Sequence, residues 1–206
     1  MNSYKTVEGL CEKVFIVERS KFICAVKGVD SEEDAKSFVA ETRKNHPFAT
    51  HNCYAYIVGD NGLIRKFSDD GEPQGTAGMP ILNVLATKRL FNVVAVVTRY
   101  FGGVKLGAGG LTRAYGNAVA ETVDFSAVKE MFPSVFYAIK ASYSDYKKIS
   151  QSLAIYADVT AVSYGEDVTA DCAVKEELSE KFLKFIKETV FGVSVTEKGV
   201  GYHPFG

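Results

Sequence analysis

The sequence predicts an α+β protein of two domains, residues 1–133 and 134–206. Three observations carry that prediction. Strand-like and helix-like apolar spacings both occur along the chain, and short turns join the strands of 11–18 and 22–26 and those of 52–58 and 63–67. Met131-Phe-Pro-Ser134 punctuates the pattern, because proline neither donates to a ladder nor continues a helix. Beyond it the elements run β-α-β-β-α-β in about 70 residues, the order of the ferredoxin-like split βαβ unit.

Each element has its own reason. Residues 11–18 carry Val14, Phe15, Ile16 and Val17, all of high strand propensity. Glu18-Arg-Ser-Lys21 is a polar turn, and Phe22-Ile-Cys-Ala-Val26 the returning strand. A helix starts at Asp30 or Ser31, where Ser31 and Asp34 have capping-box spacing. Ala35, Phe38, Val39 and Thr42 share its inner face, and it ends before Pro47. Residues 52–58 alternate as a strand, Asp60-Asn-Gly62 is a hairpin turn, and residues 63–67 return. Residues 68–78 are loop by composition. A helix follows from about Pro80, with Ile81, Leu82 and Leu85 inward and Lys88 and Arg89 at its end. A buried strand over about 91–98 leads to a glycine-rich segment and a helix from Leu111 to Val123.

In the second domain residues 135–142 form a strand and 145–157 a helix with Tyr146, Ile149, Leu153 and Tyr156 on one face. Two strands, 159–164 and 168–174, flank Gly165-Glu-Asp167. A helix over 176–189 and a strand over 193–197 complete the unit, and residues 199–206 are expected to fray.

At 47% hydrophobic and 24% charged residues, with net charge −1, the composition is that of a globular protein and whole-molecule charge draws it to no polyanion. The distribution is less even: between Pro73 and Ala120 stand Lys88, Arg89, Arg99, Lys105 and Arg113 and no acidic residue. The four cysteines, 11, 24, 53 and 172, have neither zinc-ligand nor Cys-x-x-Cys spacing. With no apolar leader or membrane span, a cytoplasmic protein with reduced cysteines is expected, with no membrane partner.

The chemistry concentrates in Arg99-Tyr-Phe-Gly-Gly-Val-Lys-Leu-Gly-Ala-Gly-Gly-Leu-Thr-Arg113. A buried strand, a glycine-rich turn and a helix start place bare N–H groups at a partly positive helix end, which favours phosphate. The spacing is neither a Walker loop nor a dinucleotide fingerprint. Arg99, Lys105 and Arg113 are the candidate phosphate contacts, and Gly102, Gly103, Gly107, Gly109 and Gly110 let the backbone come close. A second candidate set is His51, Asp69, Asp70, Glu72 and Thr76. Its carboxylates read as a solvated turn, as acid–base or metal ligands, or as a hold on a basic side chain of the glycine-rich segment. A calcium loop would need more ligands, and no metal or other cofactor is expected. Gly75-Thr-Ala-Gly78 is a second flexible stretch before a helix, hence a second anion-accepting start. His51 and Cys53 share a strand face, but a buried thiol near a hydrogen-bonded imidazole is the preferred reading over a nucleophilic pair.

Gly78-x-x-Ile81-Leu82-x-x-Leu85, Leu90 and Val96-Val97-x-Arg99-Tyr100-Phe101-Gly102-Gly103-x-x-Leu106-Gly107 together resemble the signature of the YigZ/IMPACT family. His51-Asn-Cys-Tyr-Ala55 and Asp69-Asp-Gly-Glu-Pro-x-Gly-Thr-Ala-Gly78 resemble further motifs of that family. The resemblance covers about residues 19–125. It implies a first domain with the fold of a ribosomal protein, elongation factor G domain IV and the GHMP small-molecule kinases, and a second domain similar to elongation factor G domain V. RNA or the ribosome is the partner this implies, with translation regulation by a non-enzymatic protein as the leading function. A binder or enzyme for a small phosphorylated ligand and a protein-interaction module are the alternatives. The sequence leaves the oligomeric state and the identity of a protein partner open.

Overall fold

The computed structural model describes residues 2–59 and 62–205. Two compact units divide the chain, one of residues 4–129 and one of residues 130–206 that also takes the first residues of the chain. The break falls at Lys129, a few residues before the expected Pro133.

The first unit begins with a short strand that the sequence pattern does not reveal, β1 (Tyr4–Val7), tied down by a parallel bridge from Lys5 to Leu90. The hairpin β2 (Leu10–Val17) and β3 (Ser20–Gly28) closes with Val17 opposite Ser20, and Glu18 and Arg19 between them take positive φ, 45° and 66°. That is the twist a two-residue hairpin turn requires. Helix α1 (Glu32–Asn45) starts on Ser31, whose Oγ accepts from Asp34 N–H at 3.0 Å and donates to Asp34 Oδ2 at 2.8 Å. Its inner face is Ala35, Phe38, Val39 and Thr42. Strands β4 (His51–Val58) and β5 (Ile64–Ser68) pair antiparallel. Asp60 and Asn61 of the expected hairpin turn lie outside the described residues. Helix α2 (Gly78–Thr87), β6 (Val93–Tyr100) and α3 (Gly107–Phe125) follow.

These strands form a five-stranded antiparallel sheet in the order β2-β3-β6-β4-β5. Its central strand β6 is buried on both faces, which explains its unbroken apolar run. Val93, Ala95 and Val97 point with Phe22, Cys24 and Cys53 toward α2 and α3, where Ile81, Leu85, Leu111, Tyr115 and Val119 meet them. Val94 and Val96 point the other way, to Ala35, Phe38 and Val39 of α1. Burying one such side chain stabilises by about 1.5–3 kcal/mol, so this two-sided core holds both helix layers to one sheet.

The second unit is built on β7 (Val128–Ala141), α4 (Tyr143–Leu153), β8 (Ala157–Tyr164), β9 (Val168–Lys175), α5 (Ser179–Thr189) and β10 (Ser194–Pro204). The strands of this unit run β10-β7-β9-β8 within a five-stranded sheet that β1 also joins, and with both helices packed on one face this is the ferredoxin-like arrangement. Two expectations are corrected. Strand β7 passes through Pro133, which is tolerated because pairing with β9 begins only at Ser134. Most of the tail does not fray: after a bulge at Glu197/Gly199, residues 200–204 pair with residues 131–135, while residue 206 lies outside the described residues. His203 Nε2 also meets Asp158 Oδ2 at 2.8 Å, and Phe205 packs edge-on against Phe132. Among the described residues no helix is long and apolar enough to cross a membrane.

Candidate functional site

The two candidate sets of residues meet at the end of β6. Antiparallel pairing puts Arg99 opposite both Phe22 of β3 and His51 of β4. Arg99 is an odd-numbered residue, so it points with Val97 toward α3 and is buried. Its Nη1 meets Glu72 Oε1 at 2.7 Å and its Nη2 donates to Ser20 Oγ at 3.2 Å. Tyr115 of α3 donates its hydroxyl to the same Glu72 oxygen at 2.7 Å. His51 Nε2 lies 3.7 Å from the other carboxylate oxygen. The guanidinium sits 5.3 Å from the Phe22 ring and 5.5 Å from the Phe101 ring, so aromatic faces supply part of the compensation a buried cation needs. Arg99 is therefore not presented to an outside phosphate. The expectation that it contacts one is corrected: its charge is taken by Glu72, which is itself buried.

The rest of the acidic loop is engaged in the same way. Asp69 accepts from Gly75 N–H at 2.8 Å, Ala77 N–H at 3.0 Å and Gly78 N–H at 2.8 Å. Burial pushes its carboxyl upward, but the three N–H donors outweigh that and hold its pKa below the ordinary carboxylate value. The start of α2 thus carries an anion supplied by the chain, and the second anion-accepting site expected there is occupied by Asp69. With its first N–H groups satisfied in this way, α2 begins at Gly78, two residues before Pro80. Asp70 accepts from Asn52 N–H at 2.6 Å and pairs with Arg43 Nη2 at 2.6 Å. Thr76 is buried, and its hydroxyl donates to the Pro73 carbonyl.

His51 and Cys53 do share a face, yet each turns to the loop rather than to the other. His51 Nδ1 lies 2.8 Å from the Asp70 carbonyl, which can only accept, so Nδ1 carries a proton. Cys53 is fully buried, with its sulfur 2.9 Å from the Asp69 carbonyl and 3.4 Å from the Tyr115 hydroxyl. Burial pushes its thiol far above the ordinary range, the reverse of what a nucleophile needs. The preferred reading of this pair as structural agrees with that geometry.

The glycines divide by cause. A Cβ on Gly102 would fall 2.1 Å from the backbone of Arg19, so this residue is glycine because the β2–β3 turn presses on it. Gly103 and Gly107 have φ of +86° and +69°, a left-handed conformation that side chains disfavour. Helix α3 begins at Gly107, four residues before the expected Leu111, so Gly107, Gly109 and Gly110 form its first turn. That turn has no side-chain cap, and residues 107–109 are exposed. A Cβ on Gly109 would lie 3.6 Å from Arg113 Nη1, which places the Arg113 guanidinium beside the first turn. Lys105 is exposed two residues ahead of it. Lys105, Gly110 and Arg113 line an open groove of about 920 Å³ between β2 and α3, together with Val14, Glu18 and Glu121. Of the sequence candidates, Lys105, Gly107, Gly109, Gly110 and Arg113 gather at this surface, whereas His51, Asp69, Asp70, Glu72, Thr76 and Arg99 gather around the end of β6, with Glu72, Thr76 and Arg99 buried and the other three half-buried. Tyr115 joins this network although it is not among the sequence candidates for the site. Its position in the same helix as the glycines was visible, but its hydroxyl's buried partner was not.

Comparison with known proteins identifies the family. Residues 18–123 match the family model described as the Impact N-terminal domain. The chain is 40% identical over 200 residues to IMPACT family member YvyE of Bacillus subtilis, covering 97% of this chain and 92% of that protein. It is 40% identical over 129 residues to IMPACT family member YigZ of Escherichia coli, covering 62% of this chain and 63% of that protein. A crystal structure described only as that of a hypothetical protein aligns with a TM-score of 0.63 and 31% identity over 95% of this chain and 97% of the other. The chain belongs to the YigZ/IMPACT family.

Proposed function

We propose that this chain is a non-enzymatic, cytoplasmic RNA-binding protein associated with translation, and that it holds RNA phosphate at the start of α3. One observation carries the reading. A helix N-terminus is already equivalent to about half a positive charge, and cations beside it cost about 0.3–1 kcal/mol each unless an anion joins them. Here the start of a 19-residue helix has no capping side chain, Arg113 folds back over its first turn, and Lys105 precedes it. The arrangement is unfavourable when empty and favourable around a phosphate. The family resemblance, which implies domains similar to domains IV and V of elongation factor G, supports RNA as the source of that phosphate.

The competing enzyme reading requires Asp69, Asp70 or Glu72 to serve a phosphorylated substrate, whereas each is engaged by groups of the chain itself. The test is the salt dependence of RNA affinity. Single-stranded RNA is expected to bind with an affinity that falls linearly on a logarithmic salt scale. Lys105→Ala and Arg113→Ala should each reduce the slope by about 0.7, the increment for one phosphate contact on a single strand. Absence of binding at micromolar protein, or slopes unchanged in both variants, overturns the proposal.

A further inference from the structure

Three segments remote in sequence converge beside this surface, and none contains an acidic residue: 19–21, 43–50 and 99–105. The β3–β6 register sets Lys21 opposite Tyr100. Gly102 lies against the Arg19 backbone and donates its N–H to Ser20 Oγ at 3.2 Å. The loop after α1 is stitched to the same place: His46 Nδ1 meets Tyr100 OH at 3.0 Å, Thr50 N–H donates to the Arg99 carbonyl at 2.8 Å, and Phe101 N–H donates to Thr50 Oγ1 at 3.1 Å. The three segments hold six basic residues. Arg99 is buried on Glu72 and Arg43 is paired with Asp70, while Arg19, Lys21, Lys44 and Lys105 are exposed. Two phenylalanines stand on the same loops. Phe48 is 90% exposed and Phe101 48%, an arrangement that core packing does not explain. Phe101 has one flank toward the Arg99 guanidinium, which Glu72, Ser20 and the sheet hold in place.

We infer that this corner is a single-strand recognition site at which unstacked bases lie on Phe48 and Phe101 while Arg19, Lys21, Lys44 and Lys105 follow the phosphates. Exposed aromatics among cations are what single-stranded nucleic acid offers partners for: a π face on every base and a charge on every link. A duplex buries its base faces and cannot use the phenylalanines. The inference rests on the RNA-binding reading above and specifies its substrate as single-stranded. It also gives the buried Arg99–Glu72 pair an outward consequence, since Arg99 backs the Phe101 ring.

The test compares a fluorescent oligouridine with a blunt RNA duplex of equal length, using the full chain and its Phe48→Ala, Phe101→Ala and Phe101→Tyr variants. Stacking on an aromatic contributes about 1–3 kcal/mol per base, so each alanine variant should bind the single strand about 5- to 150-fold more weakly. The salt slope and the duplex affinity should stay the same, and Phe101→Tyr should retain binding. Phe48 is so exposed that its replacement leaves folding intact, which keeps the test valid should Phe101→Ala perturb the loop. If oligouridine binds the parent chain and both alanine variants equally, the stacking site is overturned while RNA binding stands. If neither RNA binds the parent chain, both proposals fall together.

Discussion

Two helix starts in the first unit, both glycine-rich, end up in opposite states. The start of α2 is closed by Asp69, a carboxylate of the chain's own loop, which takes three N–H groups. The start of α3 has no side-chain cap and is bordered by Lys105 and Arg113. The same physical feature, backbone donors at a positive helix end, is used once to fix the fold and once left facing outward. Glycine content does not separate the two cases. What separates them is whether a carboxylate takes the first N–H groups: Asp69 does so at α2, whereas the acidic loop meets α3 only at the Tyr115 hydroxyl, beyond its first turn. Asp69, Asp70 and Glu72 are each engaged elsewhere in the first unit, and the α3 start has no side-chain cap.

That contrast can be broken from the closed side, where the largest effect is expected. Glu72→Gln leaves the buried Arg99 guanidinium without its counter-charge and weakens the bond to Tyr115. Breaking a buried pair in this way costs about 3–5 kcal/mol, readable as a lowered urea midpoint with an unchanged slope. A loss below about 1 kcal/mol would mean that the pair does not hold the loop to the helix.

A smaller effect belongs to Asp69→Ala, which exposes three N–H groups at the start of α2 and should cost about 1–3 kcal/mol. Its pH dependence has a definite sign. The folded carboxyl titrates below its ordinary value of 3.8, so its contribution is fully present above that value and is lost as pH falls through the lower folded one. The stability gap between the parent chain and Asp69→Ala should therefore be constant near neutrality and narrow only below about pH 4. A gap that closes between pH 5 and 7 contradicts this assignment. The smallest effect is on the open side. Arg113→Ala removes a cation from the positive helix end and should change stability by no more than a few tenths of a kcal/mol, toward the more stable side. Thermal unfolding would register a large loss there as evidence that Arg113 is structural.

The sequence made the framework legible and the direction of its charges illegible. The capping pair Ser31–Asp34, the helix ending before Pro47 and the β-α-β-β-α-β order were each signalled by local chemistry, and each appears in the structure. Strand β1 went unseen because four residues carry too little periodicity to read, and the extension of β10 because its glycines resemble a frayed end. Arg99 was misplaced for a deeper reason. Strand alternation assigns an inside and an outside only when one face is wet, and β6 is buried on both. Its parity said that Arg99 shares a face with Val97, but nothing local said that Glu72, 27 residues away, would be waiting there. The acidic loop as a hold on the basic segment was one of several open readings, and the fold selects it for Arg99. Lys105 and Arg113 remain outside that hold because the loop is already spent.

The central claim is that the α3 start accepts an external anion and the α2 start does not. Amide NMR of the 15N-labelled chain titrated with single-stranded RNA tests it most directly. Saturable shifts are expected at Gly107, Ala108, Gly109 and Gly110, diminished in Arg113→Ala, with Gly75, Ala77 and Gly78 unmoved because Asp69 already holds them. Shifts at Gly75, Ala77 and Gly78 instead, or binding that leaves the amides of residues 107–110 unperturbed, would contradict it.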